Sequence, residues 1–325
     1  MKVTIEDVRS AAARLRGVTE ITPLLQSAEL DEAAGGKVLI KPECLQRTGS
    51  FKLRGAYNLM SQIPAERSAN GIVAWSSGNH AQGVAAAGRM LGINTRIVMP
   101  EDAPPAKIAN TRRLGGEPVL YDRYSGDREA IARQLAEESG AELVPSYEHV
   151  DIIAGQGTVG LELMEQAAAI DSVPDQVLIC CGGGGLSSGS AIAIRDASKS
   201  TDIYLVEPAD FDDTRRSFAS GKLEHNDPAA RSICDALQTP TPGEMTFDIN
   251  RRLCAGVLTV TDADVRRAMR FAFRHLKLVV EPGGAVALAA VLAGKVDTEG
   301  RTTAIVLSGG NVDEQLFAEI QSESD

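Results

Sequence analysis

Short, continuous apolar runs alternate with helix-patterned segments along most of the chain, and this alternation limits the possible folds more than any other feature. The strand candidates are Lys37–Lys41, Ile72–Trp75, Thr95–Met99, Pro118–Tyr121, Glu142–Val144, Gln176–Cys181, Ile203–Glu207 and Thr303–Leu307. Helical content lies between them, at His80–Leu91, Arg128–Glu138, Gly157–Ala169 and Ala263–Leu276. A strand that is apolar on both faces must be covered on both faces, which a parallel sheet flanked by helices achieves. The expected class is therefore α/β. In a chain of 325 residues there is room for two domains of ordinary size. Ile72–Tyr121 reads as a compact open α/β unit, and a second set of strands begins at Gln176. We expect a small α/β domain (63–148) inserted in a larger one (1–62 with 149–325), with a ligand between them. Glycine turns such as Gly115-Gly116 and Gly221 read as ordinary connections.

Charge narrows the choice of partner. Lys plus Arg number 33 against 44 Asp plus Glu, giving a formal net charge of −11 and a pI near 5.0. Nucleic acid and anionic membrane both call for clustered cations, so neither is expected. A small anionic substrate remains compatible, because a cleft can differ from the average surface. The opening MKVTIEDVRSAAARLRG has acidic residues and no uninterrupted apolar core, so no signal peptide is expected. No stretch approaches the roughly 18 uncharged apolar residues of a membrane span. Five scattered cysteines (Cys44, Cys180, Cys181, Cys234 and Cys254) without a CxxC pair argue against a disulfide framework or a thiolate zinc site. The expectation is a reduced, cytoplasmic protein.

Four segments carry polar chemistry at strand ends or helix starts. In Thr48-Gly49-Ser50-Phe51-Lys52-Leu53-Arg54, a lysine follows Gly-Ser and an aromatic where a helix should begin. Burial and the positive end of a helix dipole both disfavour an ammonium, and a neutral amine condenses with aldehydes. A solvated lysine on a helix face is the ordinary alternative. Ser76-Ser77-Gly78-Asn79-His80 follows the strand ending at Trp75, where N–H groups and hydroxyls could meet a carboxylate. The same turn serves equally as a plain helix cap. Gly182-Gly183-Gly184-Gly185-Leu186 lets backbone amides approach a phosphate without interference from Cβ atoms. It lacks the lysine of a P-loop and the spacing of a dinucleotide site, and a flexible hinge is its alternative. Ser308-Gly309-Gly310-Asn311 brings one hydroxyl to a strand end, and alone would be a turn and cap. Together, an amine, amides for a phosphate, an asparagine loop and a strand-end hydroxyl describe one cofactor, pyridoxal phosphate.

In this order the residues resemble the serine/threonine dehydratase and serine racemase group of fold type II pyridoxal-phosphate enzymes, relatives of the tryptophan synthase β subunit. The landmarks are SFKLRGA, SSGNHAQG, IAGQGT (Ile153–Thr158), CGGGGL, VEP (Val206–Pro208), VEPGGA (Val280–Ala285) and LSGGNVD, spread over nearly the whole chain. The resemblance implies two open parallel-sheet domains with the cofactor between them. It implies that Lys52 bonds the cofactor aldehyde and is the base on one face, while Phe51 packs on the ring. Asn79 would hydrogen-bond the ring's phenolic oxygen, and Ser76, Ser77, Gly78, Asn79 and His80 would shape the pocket for the substrate carboxylate. Gly182, Gly183, Gly184, Gly185 and Leu186 would hold the phosphate, Ser308 would meet the ring nitrogen, and Glu281 would lie near that end. A neutral hydroxyl at the nitrogen does not enforce ring protonation, which suits elimination. Glu207, Asp213 and the carbonyl of Phe211 match the metal site of racemase-like relatives, an oxygen set for Mg²⁺ or Ca²⁺; a solvated acidic loop is the alternative.

The implied activity is that of an ammonia-lyase (dehydratase) eliminating water from a small β-hydroxy amino acid, L-threonine or L-serine first, to give a 2-oxo acid and ammonia. The alternatives are a serine or aspartate racemase using Lys52 and Ser77 on opposite faces, a 3-hydroxyaspartate dehydratase, and a catalytically dead binding protein for the cofactor or an amino acid. Relatives imply a homodimer. Two departures bear on substrate identity. Asp235-Ala236 stands where relatives carry Asp-Gly, and Pro145–Asp151 reads one residue longer than the family loop. No appended regulatory domain is expected beyond the serine turn.

Overall fold

A computed structural model describes residues 2–76, 78–103, 105–122 and 126–324. Among the described residues nine strands alternate with helices: β1 (Lys37–Pro42), β2 (Ile72–Trp75), β3 (Thr95–Pro100), β4 (Gly116–Tyr121), β5 (Glu142–Leu143), β6 (Gln176–Cys180), β7 (Asp202–Pro208), β8 (Gly256–Val260) and β9 (Thr302–Leu307). They form a five-stranded sheet in the order β1-β9-β6-β7-β8 and a four-stranded sheet in the order β4-β3-β2-β5. Every neighbouring pair is parallel. Parallel strands need crossovers, so helices cover both faces, and the inner strands β6 and β9 are buried almost throughout. The helix Pro282–Leu292, PGGAVALAAVL, is apolar on all sides and runs through the main core. No helix among the described residues is long and apolar enough to cross a membrane.

All eight expected strands are present within a residue or two, and the ninth, β8, was not foreseen. It is an edge strand, and four of its five residues are only partly buried. Its GVLTV run therefore lacks the continuous apolar signal of the central strands. Helix starts also differ. The helix expected at Gly157 begins at Val150, which places Val150 and Asp151 of the supposed loop in its first turn, capped by His149. Glycine-rich IAGQGT had masked the earlier turns, yet those glycines are packing devices. A Cβ at Gly155 would lie 2.7 Å from the carbonyl oxygen of Arg54 and from Cα of Gly55. The helix Lys52–Met60 can cross the helix Val150–Ala169 at this distance only because both carry glycine there.

Charged groups are buried at the same crossing. Arg54 is fully buried and forks onto Glu43 (Nε–Oε2 2.7 Å, Nη2–Oε1 2.8 Å) and onto Glu162 (Nη1–Oε1 2.6 Å, Nη2–Oε2 2.9 Å). Lys41, also fully buried, reaches Glu162 at 2.7 Å and the carbonyl of Thr22 at 2.8 Å. Two cations and two anions cancel, with each Arg54 fork in the geometry that suits a carboxylate. The quartet joins the end of β1, the helix carrying Lys52 and the helix Val150–Ala169. Removing one member strands the others. Arg54→Met is expected to lower the unfolding free energy by about 3–5 kcal/mol in urea titration, and a loss below about 1 kcal/mol would contradict this account.

Candidate active site

The C-terminal ends of parallel strands leave their last carbonyls and following turns facing a crevice, which is where polar side chains gather in such folds. After β9, the turn Ser308–Asn311 pairs with the segment that leads into the Lys52 helix. Phe51 N donates to the Ser308 carbonyl at 3.2 Å, Gly310 N donates to the Gly49 carbonyl at 2.8 Å, and Ser50 bridges Gly309. Lys52 is thereby fixed as the first residue of its helix, at the end of the larger sheet. Its Nζ donates to the carbonyl of Ser146 at 3.0 Å and lies 5.2 Å from the centroid of the Phe51 ring. Burial pushes the ammonium down to about 8, against the weaker pull of Cys180 and Glu281.

Following β6, the glycine turn forms the second wall. Gly184 has φ of +87°, and the helix Gly185–Ala197 starts with no side-chain cap. A Cβ at Gly183 would collide with the Tyr147 ring, which packs against the turn. Thr246 Oγ1 donates to the Gly183 carbonyl at 2.6 Å, so that carbonyl faces the helix Glu244–Leu253. The Leu186 side chain is buried in the core. An uncapped helix start reached through glycines is suited to an anion.

After β2, Ser76 Oγ accepts from Gly78 N at 3.1 Å, and the helix Asn79–Leu91 begins. Ser77 lies outside the described residues. Asn79 Nδ2 donates to Glu281 Oε1 at 2.5 Å, and Asn79 Oδ1 accepts from Asn311 Nδ2 at 2.7 Å. Burial raises Glu281 to about 8, with Asp235 adding to it and the Asn79 hydrogen bond opposing. His80 is buried, and its Nε2 is 2.9 Å from the carbonyl of Val144, which makes that nitrogen the donor. Among the described residues its buried Nδ1 has no partner, and burial and Lys52 lower the ring to about 3, so the imidazole is neutral. Ser308 follows β9 beside the Cys180 thiol, which burial pushes up to about 11 against a Ser308 hydrogen bond.

The site therefore gathers Phe51, Lys52, Asn79, His80, Glu281, Ser308 and the glycine turn, all anticipated. It also enlists residues that sequence reasoning gave no role. Ser146 and Tyr147 come from the loop already noted as unusual, and Asn311 from the serine turn. Thr246 had no signal at all. Of the two departures, Ala236 is exposed at the surface, and its methyl faces Gly283, where a Cβ would lie 3.2 Å away. Asp235 pairs with Lys107 of the helix Pro105–Arg113 at 2.5 Å.

The acidic group lies apart, at the end of β7. Glu207 is fully buried, and its oxygens accept from the backbone N of Thr214 (3.1 Å) and Arg215 (3.0 Å). Burial, and then Asp213, raise it to about 8. Asp213 Oδ1 accepts from Asn226 at 2.6 Å, while its Oδ2 is buried with no partner among the described residues. The Phe211 side chain packs inward, and its N donates to the Pro208 carbonyl at 3.0 Å. Among the described residues no set of three or more His, Cys, Asp or Glu side chains could hold a metal, so a cation here would depend on carbonyl oxygen as well.

Comparison with known proteins agrees with the geometry. A family model described as pyridoxal-phosphate dependent enzyme matches residues 15–309. An L-threo-3-hydroxyaspartate ammonia-lyase from Pseudomonas sp. is 46% identical, over 97% of this chain and 97% of that protein. Among solved structures, a threonine deaminase from T.th. is 42% identical with a TM-score of 0.89, covering 95% of this chain and 99% of that one. Maize serine racemase is 36% identical with a TM-score of 0.92, covering 98% and 97%.

The amine at position 52 should show its environment directly. In the cofactor-free protein, acylation by a small amine-selective reagent, followed site by site by mass spectrometry, is expected to reach half its maximal rate near pH 8, because only the neutral amine reacts. A half-point near the ordinary lysine value of 10.5 would contradict the burial described above.

Proposed function

Since the chain belongs to the pyridoxal-phosphate-dependent enzyme family, within its ammonia-lyase and racemase group, we propose that it eliminates water from a β-hydroxy amino acid, with L-threo-3-hydroxyaspartate ahead of L-threonine and L-serine. The observation that carries the elimination is the half-buried Lys52 amine, pushed down to about 8 and fixed at the start of a helix. The substrate order rests on the 46% identity to the hydroxyaspartate lyase, spread over 97% of both proteins.

The residues present fit the cofactor. Lys52 would hold its aldehyde carbon, the N–H groups of Gly182 to Leu186 its phosphate, Asn79 its ring oxygen and Ser308 its ring nitrogen. When bound, the cofactor supplies an electron-withdrawing ring that lowers the cost of removing a proton from the substrate's α-carbon. Lys52 is proposed to take up that proton, since a neutral amine near its own pKa accepts and returns protons with little penalty. The carbonyl of Ser146 holds Nζ in position while it waits. Phe51 shields one side from water, and the serine turn offers a neutral partner to the ring. The uncapped start of Gly185–Ala197 supports an anion without any lysine or arginine.

Racemisation is the second reading, favoured by the likeness to maize serine racemase, with Ser77 as the acid/base opposite Lys52. We also propose the domain limits 63–148 and 1–62 with 149–325, a cytoplasmic setting, and a homodimer. Leu45, Phe273 and Val279 leave large apolar side chains about half exposed, which supports a partner copy. At the acidic group, an Asp213 Oδ2 with no partner among the described residues supports a site in which Asp213, Glu207 and the Phe211 carbonyl hold Mg²⁺ or Ca²⁺.

A panel of L-threo-3-hydroxyaspartate, its stereoisomers, L-threonine and L-serine, scored for 2-oxo acid, ammonia and inverted enantiomer, decides among these readings. The highest kcat/KM is expected for L-threo-3-hydroxyaspartate, and Lys52→Ala should reduce it by about 10³-fold or more. Appearance of the opposite enantiomer without ammonia would overturn the lyase reading. For the metal, EDTA should lower the melting temperature and either cation should restore it; an unchanged melting curve would remove Glu207 and Asp213 from consideration as ligands.

A further inference from the structure

Asn79 belongs to the helices around the smaller sheet, yet both ends of its carboxamide are held by groups of the larger-sheet half. Asn311 Nδ2 donates to its Oδ1 at 2.7 Å, and its own Nδ2 donates to Glu281 Oε1 at 2.5 Å. A carboxamide has nearly the same shape after a half-turn that exchanges O and NH₂, so only its partners decide which end faces where. Here the decision starts from an atom with no ambiguity. The carbonyl oxygen of Thr48 can only accept, and it lies 2.8 Å from one end of the Asn311 side chain. That end is therefore the Asn311 nitrogen. The same nitrogen gives its second hydrogen to Asn79, so the Asn79 atom facing it must be oxygen. The Asn79 nitrogen then points to Glu281, with its second hydrogen left for the site. The orientation passes from a backbone carbonyl through two side chains to the catalytic crevice.

Glu281 alone does not impose this orientation. An ionised carboxylate would demand a donor, but a carboxyl group held largely in its acid form can accept from NH₂ or donate its own O–H to a flipped oxygen. Burial raises Glu281 to about 8, so both arrangements of Asn79 satisfy it near neutrality. The choice falls to Asn311.

We propose that Asn311 is a positioning residue, which locks Asn79 with its NH₂ turned toward the site so that it acts there as a hydrogen-bond donor. This rests on the proposed function, in which Asn79 meets the ring oxygen of the cofactor. A donor at that oxygen favours its anionic form, whereas a flipped Asn79 would set two acceptors against each other. Asn311 touches neither substrate nor cofactor in this scheme, and its effect passes through Asn79.

The test compares Asn311→Asp and Asn311→Ala with the wild-type holoenzyme. Asn311→Asp keeps the shape but replaces the donating nitrogen by oxygen, which repels both the Thr48 carbonyl and Asn79 Oδ1 and favours the flip. Asn311→Ala removes the bias without reversing it, and remains informative if the aspartate variant folds poorly. The readouts are the visible absorption band of the bound cofactor and its pH titration, kcat and KM separately, and the melting temperature. We expect both variants to retain cofactor, with the band and its titration displaced and kcat lowered about ten- to a hundredfold in Asn311→Asp, and less in Asn311→Ala. KM should change little. A wild-type band and kcat in Asn311→Asp overturn the proposal. So do equal losses in the two variants that follow melting temperature alone, because a merely structural contact would behave that way. Wild-type protein that takes up no pyridoxal phosphate overturns instead the reading on which the proposal rests, and is seen before either variant is compared.

Discussion

An amine kept out of water at the seam of two parallel sheets is the constraint that the rest of this molecule serves. An ammonium is strongly hydrated, and removing it from water costs enough that the neutral form becomes competitive. Lys52 reaches that state because it does not project from an exposed helix face. The turn after β9 fixes the preceding residues, Gly55 and Gly155 let two helices close above it, and the Arg54 quartet clamps the same crossing. Fully satisfied charges two residues from Lys52 thus give rigidity to a position whose own charge is suppressed. The quartet contributes little net stability relative to an apolar packing of similar volume, and its value lies in fixing one geometry.

The titratable groups around the amine share a direction. Burial lowers Lys52 and His80 and raises Glu281 and Cys180, so each is driven toward its neutral form. A site with few fixed charges and little water leaves any charge that develops during reaction to be met by dipoles: glycine N–H groups, the start of the Gly185–Ala197 helix, and the Asn79 carboxamide. Such dipoles are already oriented and need no reorganisation as the charge appears. Under the proposed function, a net charge of −11 is compatible with a dicarboxylic substrate for this reason. The anion would be received by backbone and amide groups rather than by a cationic surface.

Much of this was legible in the sequence, for identifiable reasons. Continuous apolar runs exposed the buried strands of both sheets, and glycine strings exposed the turns where a Cβ cannot fit. Lys52, Asn79, the tetraglycine turn and Ser308 stood out because each follows a strand or opens a helix. β8 stayed hidden because a strand only partly buried along most of its length needs no continuous apolar run. The start of the Val150–Ala169 helix stayed hidden because Gly155 and Gly157 interrupt its apolar pattern, although both are packing contacts. Ser146 contributes only its carbonyl, which any residue would supply, so no side-chain pattern could reveal it. Asn311 was visible as a turn residue, but its partners at Thr48 and Asn79 lie 263 and 232 positions away in the chain. Only the fold brings them together.

The central claim is that a single lysine, at position 52, forms the covalent bond to the cofactor. Reduction of the holoenzyme with borohydride makes that bond permanent, and peptide mapping by mass spectrometry then locates it. The account requires the reduced adduct on Lys52 and on no other lysine. An adduct elsewhere, or none in a protein that has bound the cofactor and turns over substrate, would contradict it.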